Sequence, residues 1–113
     1  MTVIQLVCGK NGAIRSCKAS GHAGFAAKGS DIVCAAVSVL LRTAVLMLQA
    51  TPQVVVKVDA SLRGNIYFSV EDNQCDAAVL YRLITIGDFL ETGITSLCKE
   101  YPKYVEMRKQ IEA

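Results

Sequence analysis

The chain has 113 residues, 52% hydrophobic and 19% charged, enough for one domain over residues 1–113 with one core, and no low-complexity tract of the kind that stays disordered. Its 12 basic and 10 acidic residues leave a formal charge of +2. They are scattered, without a basic run or a basic patch interleaved with aromatics, so nucleic-acid binding is not indicated.

Val3 to Cys8 and Ala13 to Ser20 read as two strands joined at Lys10-Asn11-Gly12-Ala13, because Asn-Gly is a favoured centre of a two-residue hairpin turn. Pairing Lys10 with Ala13 sets Cys8 opposite Arg15, Leu6 opposite Cys17 and Ile4 opposite Ala19. That register gathers Ile4, Leu6, Cys8, Cys17 and Ala19 on one face, the expected core side. Gly21 to Gly29 holds three glycines and reads as a loop. Ser30 is placed to cap a helix, with Asp31 in its first turn, where a carboxylate suits the helix dipole. The apolar run from Ile32 continues to about Gln49, and Pro52 stops it. Both faces of this helix are largely apolar, which predicts deep burial, packing on two sides or contact with a second subunit. Ile32 to Ala50 is also long enough to span a bilayer. Arg42 near its middle costs about 2.5–3.5 kcal/mol there, and Ser38, Thr43 and Gln49 add polarity, so a buried soluble helix and no membrane partner are expected.

Val54 to Asp59 and Asn65 to Val70, rich in valine, isoleucine and aromatics, read as a second hairpin through Ser61-Leu62-Arg63-Gly64. Asp72 or Asn73 is placed to cap a second helix, in which Val79, Leu83, Ile86, Leu90, Ile94 and Leu97 recur at helical spacing. Gly87 and Gly93 either bend this helix or use their missing side chains for close packing. Pro102 ends it, and Tyr104 to Met107 reads as an edge strand or a short terminal helix. The order ββαββα with a possible last strand or helix predicts an α+β fold, a two-layer sandwich of a mainly antiparallel sheet and two principal helices.

Five cysteines, Cys8, Cys17, Cys34, Cys75 and Cys98, form an odd set with no C-x-x-C pair, which fits neither a disulfide framework nor a zinc site. A reduced thiol packs as a small hydrophobe, and that is the reading for all but Cys34. No metal or cofactor is implied. Met1 to Gln5 carries no basic leader followed by an apolar stretch, so a cytoplasmic protein is expected.

The chemistry concentrates around the single histidine, His22, set in Ser20-Gly21-His22-Ala23-Gly24, and Cys34 near the predicted helix start. There the free backbone amides and the helix dipole favour a thiolate over a thiol, while Asp31 opposes a second negative charge and protonated His22 supports it. If the loop folds back, His22 can take the thiol proton and return it to a leaving amine, the minimum machinery for covalent acyl transfer. The ordinary alternative is that Cys34 packs and His22 is a surface or satisfied core residue. Ser38, one turn after Cys34, either faces the site or bonds back to the preceding turn, and Asp31 either orients His22 or stabilises the helix start. Gly21 and Gly24 either permit loop movement or supply backbone angles other residues resist.

The run Ser20-Gly21-His22-Ala23-Gly24 followed by Gly29-Ser30-Asp31-Ile32-Val33-Cys34-Ala35-Ala36-Val37-Ser38 closely resembles the bacterial ribosomal-processing cysteine protease family, Prp. The resemblance covers nearly the whole chain, including the segment from Glu100 to Val105. It implies a small homodimeric endopeptidase that removes an amino-terminal extension from a protein of the large ribosomal subunit. The catalytic histidine and cysteine of that family fall on His22 and Cys34, and its supporting positions on Gly21, Asp31 and Ser38. Two other readings use the same residues: a non-enzymatic ribosome-assembly module, and a thiol-based redox sensor with a reversible oxidised form.

Overall fold

The computed structural model describes residues 1–21, 28–60, 65–72 and 76–112. In chain order the elements are β1 (Thr2–Gly9), β2 (Ile14–Ser20), α1 (Lys28–Gln49), β3 (Val54–Asp59), β4 (Ile66–Asp72), α2 (Ala77–Glu100) and β5 (Val105–Glu112). The strands form one five-stranded sheet in the order β3-β4-β2-β1-β5. Neighbours are antiparallel except β5, which runs parallel to β1 from Thr2↔Val105 to Gly9↔Glu112. The reason is the second helix: after β4 the chain crosses back along the sheet as α2, so its last strand starts at the same end as β1. The fold is the expected α+β arrangement with a mixed sheet, and its last element is an edge strand.

Both helices cover one sheet face. Ile4, Leu6, Cys8, Cys17, Ala19, Phe68, Val70 and Val105 are buried beneath them, while Gln5, Lys18 and Tyr67, of opposite parity, are exposed. From α1 comes the stripe Val33, Val37, Leu41, Ala44 and Leu48, and from α2 Val79, Leu83, Ile86, Leu90 and Ile94, all buried. Leu97, expected on the same stripe, packs half-buried at its end.

The first hairpin keeps the expected pairs Leu6↔Cys17 and Ile4↔Ala19, but Cys8 faces Ile14 instead of Arg15, because the register shifts between Val7 and Cys8. The turn is also different from the two-residue type. The N–H of Gly12 donates to the Gly9 carbonyl at 2.9 Å, that of Gly9 donates to the Ala13 carbonyl at 2.8 Å, and only Gly12, at φ +89°, enters the left-handed region. Asn11 contributes through its side chain, whose Oδ1 accepts from the Ala13 N–H at 3.0 Å.

Helix α1 starts at Lys28, so Ser30 lies inside it and is not its cap, and Gly29 is helical instead of part of the loop. Gly24 and the rest of 22–27 lie outside the described residues, as does the expected link Ser61 to Gly64. Helix α2 is capped by Asp76, not by Asp72, which ends β4, or Asn73, which is outside the described residues. The Asp76 carboxylate accepts from the Val79 N–H at 2.9 Å. Gln53 completes the cap from the other helix's end, its Oε1 accepting from the Asp76 N–H and its Nε2 donating to Oδ2, both at 3.3 Å. Asp72, Asn73 and Asp76 all carry cap-type side chains, so residue type alone does not select among them.

Helix α2 is unbroken at both glycines, and only Gly93 uses its missing side chain for close packing. A Cβ on Gly93 lies 3.0 Å from Leu40 Cδ2, so α1 and α2 touch there. A Cβ on Gly87 meets only ordinary contacts, 3.6 Å from the Gly12 carbonyl oxygen and the Ile14 Cβ and 3.8 Å from Cys8 Sγ. Gly87→Ala is therefore expected to stabilise the protein by about 0.5–1 kcal/mol through helix propensity alone, seen as a higher urea midpoint with unchanged slope; a lower midpoint excludes room for the methyl.

Candidate active site

The thiol of Cys34 is half-buried on α1. With the helix starting at Lys28, Cys34 is its seventh residue. The amides without intrahelical partners end at Ser30, the third residue of the helix, about 6 Å earlier along the axis. With Ser30 as the expected cap, the thiol stood near the helix start; the earlier beginning at Lys28 corrects that placement, and the amides of the helix start contribute less to a thiolate than it implied.

The helix sets which side of α1 the thiol occupies. Leu40 and Met47 lie on the flank facing α2, through Gly93 and Arg82 respectively. Cys34 and Ser38, one turn apart, share the opposite flank, where both are half-buried. Asp31 is the fourth residue of α1, so it does sit in the first turn; its side chain lies outside the described residues.

That flank meets the end of the sheet where β1 begins and β2 finishes. The Thr2 hydroxyl Oγ1 is 3.9 Å from Cys34 Sγ, with Thr2 itself 4% exposed. Its backbone N–H donates to the Tyr104 carbonyl at 2.9 Å, which also fixes the start of β5. Across from it, β2 ends at Ser20, and Gly21 turns the chain away at φ +79°. A Cβ there would lie 2.6 Å from the Met1 carbonyl oxygen, so the close approach of the two segments requires glycine. His22 follows Gly21 directly and lies outside the described residues.

Among the five expected site residues, Gly21 and Cys34 stand at one end of the sheet, against Met1 and Thr2 respectively, and Ser38 follows one turn further along α1. Thr2 is the residue the sequence reading missed. A threonine at the start of a strand carries no local signal, and its burial beside the thiol depends on where α1, packed over β3 and β4, comes closest to the start of β1.

The other thiols behave as packing groups where they are described. Burial pushes Cys17 up to about 12 and, with a further push from Cys8, keeps it protonated. Cys8 is raised chiefly by burial, against an opposing effect of Lys109. Cys98 is half-buried, raised by burial and partly lowered by the Met107 backbone. Cys75 lies outside the described residues. No group of three or more His, Cys, Asp or Glu among the described residues is arranged to hold a metal ion.

Residues 1–106 match the family model of the cysteine protease Prp. No curated protein matches the chain. Among solved structures, SMU.848 from Streptococcus mutans is 26% identical with a TM-score of 0.77, the match covering 99% of this chain and 96% of that one. The essential ribosomal processing protease Prp from S. aureus, in complex with a substrate peptide, is 15% identical with a TM-score of 0.77, covering 97% of this chain and 100% of that one. The same protease with a covalently linked product peptide is 20% identical with a TM-score of 0.72, over 97% and 100%. At those two identities the likeness is one of fold.

Proposed function

Since this chain belongs to the Prp cysteine protease family, we propose that it is the endopeptidase that removes the amino-terminal extension of a large-subunit ribosomal protein in the bacterial cytoplasm. Cys34 is the nucleophile and His22 the general base and acid. His22 takes the thiol proton, Sγ attacks the scissile carbonyl, and the returned proton leaves with the amine, giving a thioester that water hydrolyses. Gly21, Asp31 and Ser38 support the pair. The observation that carries this reading is the half-buried Cys34 thiol, held on a rigid helix at the sheet end where Gly21 leads into His22. The test is incubation of the protein with a large-subunit ribosomal protein bearing an extension, followed by mass spectrometry. One cut that releases the extension is expected; an intact substrate overturns the reading.

The working unit in this reading is a homodimer, and the outer face of α1 suits a second copy. Ile32, Val39 and Leu46 are 57, 62 and 65% exposed. With exposed Ala35, Arg42 and Gln49 they recur at alternating steps of three and four, the spacing of a seam between two helices. A two-fold axis between Val39 and Arg42 sets Ala35 against Leu46 and keeps the two arginines apart. Light scattering is expected to give twice the chain mass for the native protein and the single mass for Val39→Glu/Leu46→Glu; a native monomer at micromolar concentration removes this interface.

A further inference from the structure

We infer that Thr2 is a positioning residue for the Cys34 thiolate, donating its hydroxyl hydrogen to Sγ. A buried hydroxyl needs a partner. Thr2 is 4% exposed, and among the described residues the polar atom within its reach is Cys34 Sγ, at 3.9 Å.

The hydroxyl is not free to turn elsewhere. Its backbone is held on both sides, by Tyr104 through the 2.9 Å hydrogen bond and by the pairing of Val3 with Ser20 on β2. Its side chain is β-branched, with restricted rotation about the first bond. The sulfur, in turn, is fixed by α1. Two rigid elements therefore present one hydroxyl to one sulfur.

The chemistry gives the contact a direction. Between a neutral thiol and a hydroxyl either atom can donate. Once the thiol proton has gone, sulfur can only accept, so the contact becomes a charge-assisted hydrogen bond and favours the thiolate. The distance of 3.9 Å is at the long end for a sulfur contact, as resting active sites commonly show before charge develops. With the amides of the helix start displaced by the earlier beginning of α1, this hydroxyl supplies stabilisation they do not.

The inference rests on Cys34 as the reacting thiol, and its test needs no peptide substrate. Iodoacetamide alkylation of the Cys34-containing peptide is followed by mass spectrometry against pH in the native protein, Thr2→Val, Thr2→Ala and Thr2→Ser. Thr2→Val, which replaces the hydroxyl by a methyl of similar size, is expected to move the midpoint of the rate profile up by about one pH unit, which on the rising limb slows alkylation about tenfold. Thr2→Ala, which adds no methyl, is expected to move it in the same direction. Thr2→Ser keeps the hydroxyl and is expected to hold the midpoint within a few tenths of the native value. An unmoved midpoint in Thr2→Val and Thr2→Ala overturns the inference, as does a Thr2→Ser profile displaced as far as theirs. A shifted midpoint in a protein that cleaves no ribosomal substrate supports the Thr2 contact and removes only the protease reading.

Discussion

Cys34→Ala is expected to lower the rate at which the extended ribosomal protein is cut by about 10⁴-fold or more, because the covalent route has no nucleophile without the sulfur. The fold should survive. Cys34 is half-buried, and the main structural consequence is a Thr2 hydroxyl deprived of its partner, a loss of about 1–2 kcal/mol. Cys34→Ser keeps a polar group there, but on its shorter bond the oxygen is too far from Thr2 Oγ1, already 3.9 Å from the sulfur, for an O–H···O hydrogen bond, so its stability should resemble that of Cys34→Ala. Activity stays low, since an alcohol is far harder to ionise than a thiol with only a histidine to assist it. Product formation by mass spectrometry and urea unfolding of the same preparations check both halves. Retained cutting by either variant takes Cys34 out of the chemistry.

Gly21→Ala is expected to be the most damaging substitution of Gly9, Gly12, Gly21, Gly87 and Gly93. A side chain at φ +79° costs about 1–2 kcal/mol, and its Cβ would sit 2.6 Å from the Met1 carbonyl oxygen. Backbone does not yield as a side-chain tip does, so the start of β1 must move, and the total cost is about 3 kcal/mol, or roughly 10 °C in the thermal midpoint. The displaced segment carries Thr2, which touches Cys34, so cleavage should fall well beyond what the unfolded fraction explains. Gly12→Ala is the control. It shares the left-handed backbone, at φ +89°, but its Cβ meets only Ile84 side-chain atoms at 3.7 and 3.8 Å. It lies at the far end of the hairpin, so it should lower stability by about 1–2 kcal/mol and leave cleavage of the folded fraction unchanged. Equal losses of activity in the two variants would remove the link between Gly21 and the site.

The elements were legible because they rest on short-range patterns. Alternation marks β1 and β2, the three-to-four spacing of Val79, Leu83, Ile86, Leu90 and Ile94 marks α2, and each stripe is the face that ended up buried. The helix starts were misread where residue type alone offered the wrong cap or more than one. Ser30 looks like a cap by residue type alone, yet α1 has already begun at Lys28, and the cap of α2 is completed by Gln53 from before β3. The two apolar faces of α1 were read correctly as a composition, but within one chain only one of them is covered. Ile32, Val39 and Leu46 remain exposed.

By itself, the sequence determined the type and order of the elements through α2, the hydrophobic face of each and the family to which the chain belongs. These properties depend on residue type and spacing along the chain, which local sterics and burial translate directly. Tertiary structure alone decided that β5 runs parallel to β1, that Cys34 stands almost two turns inside its helix, and that Thr2 lies against its sulfur. Each of those depends on where a helix crosses a sheet, a geometry set by the packing of side chains distant in the chain.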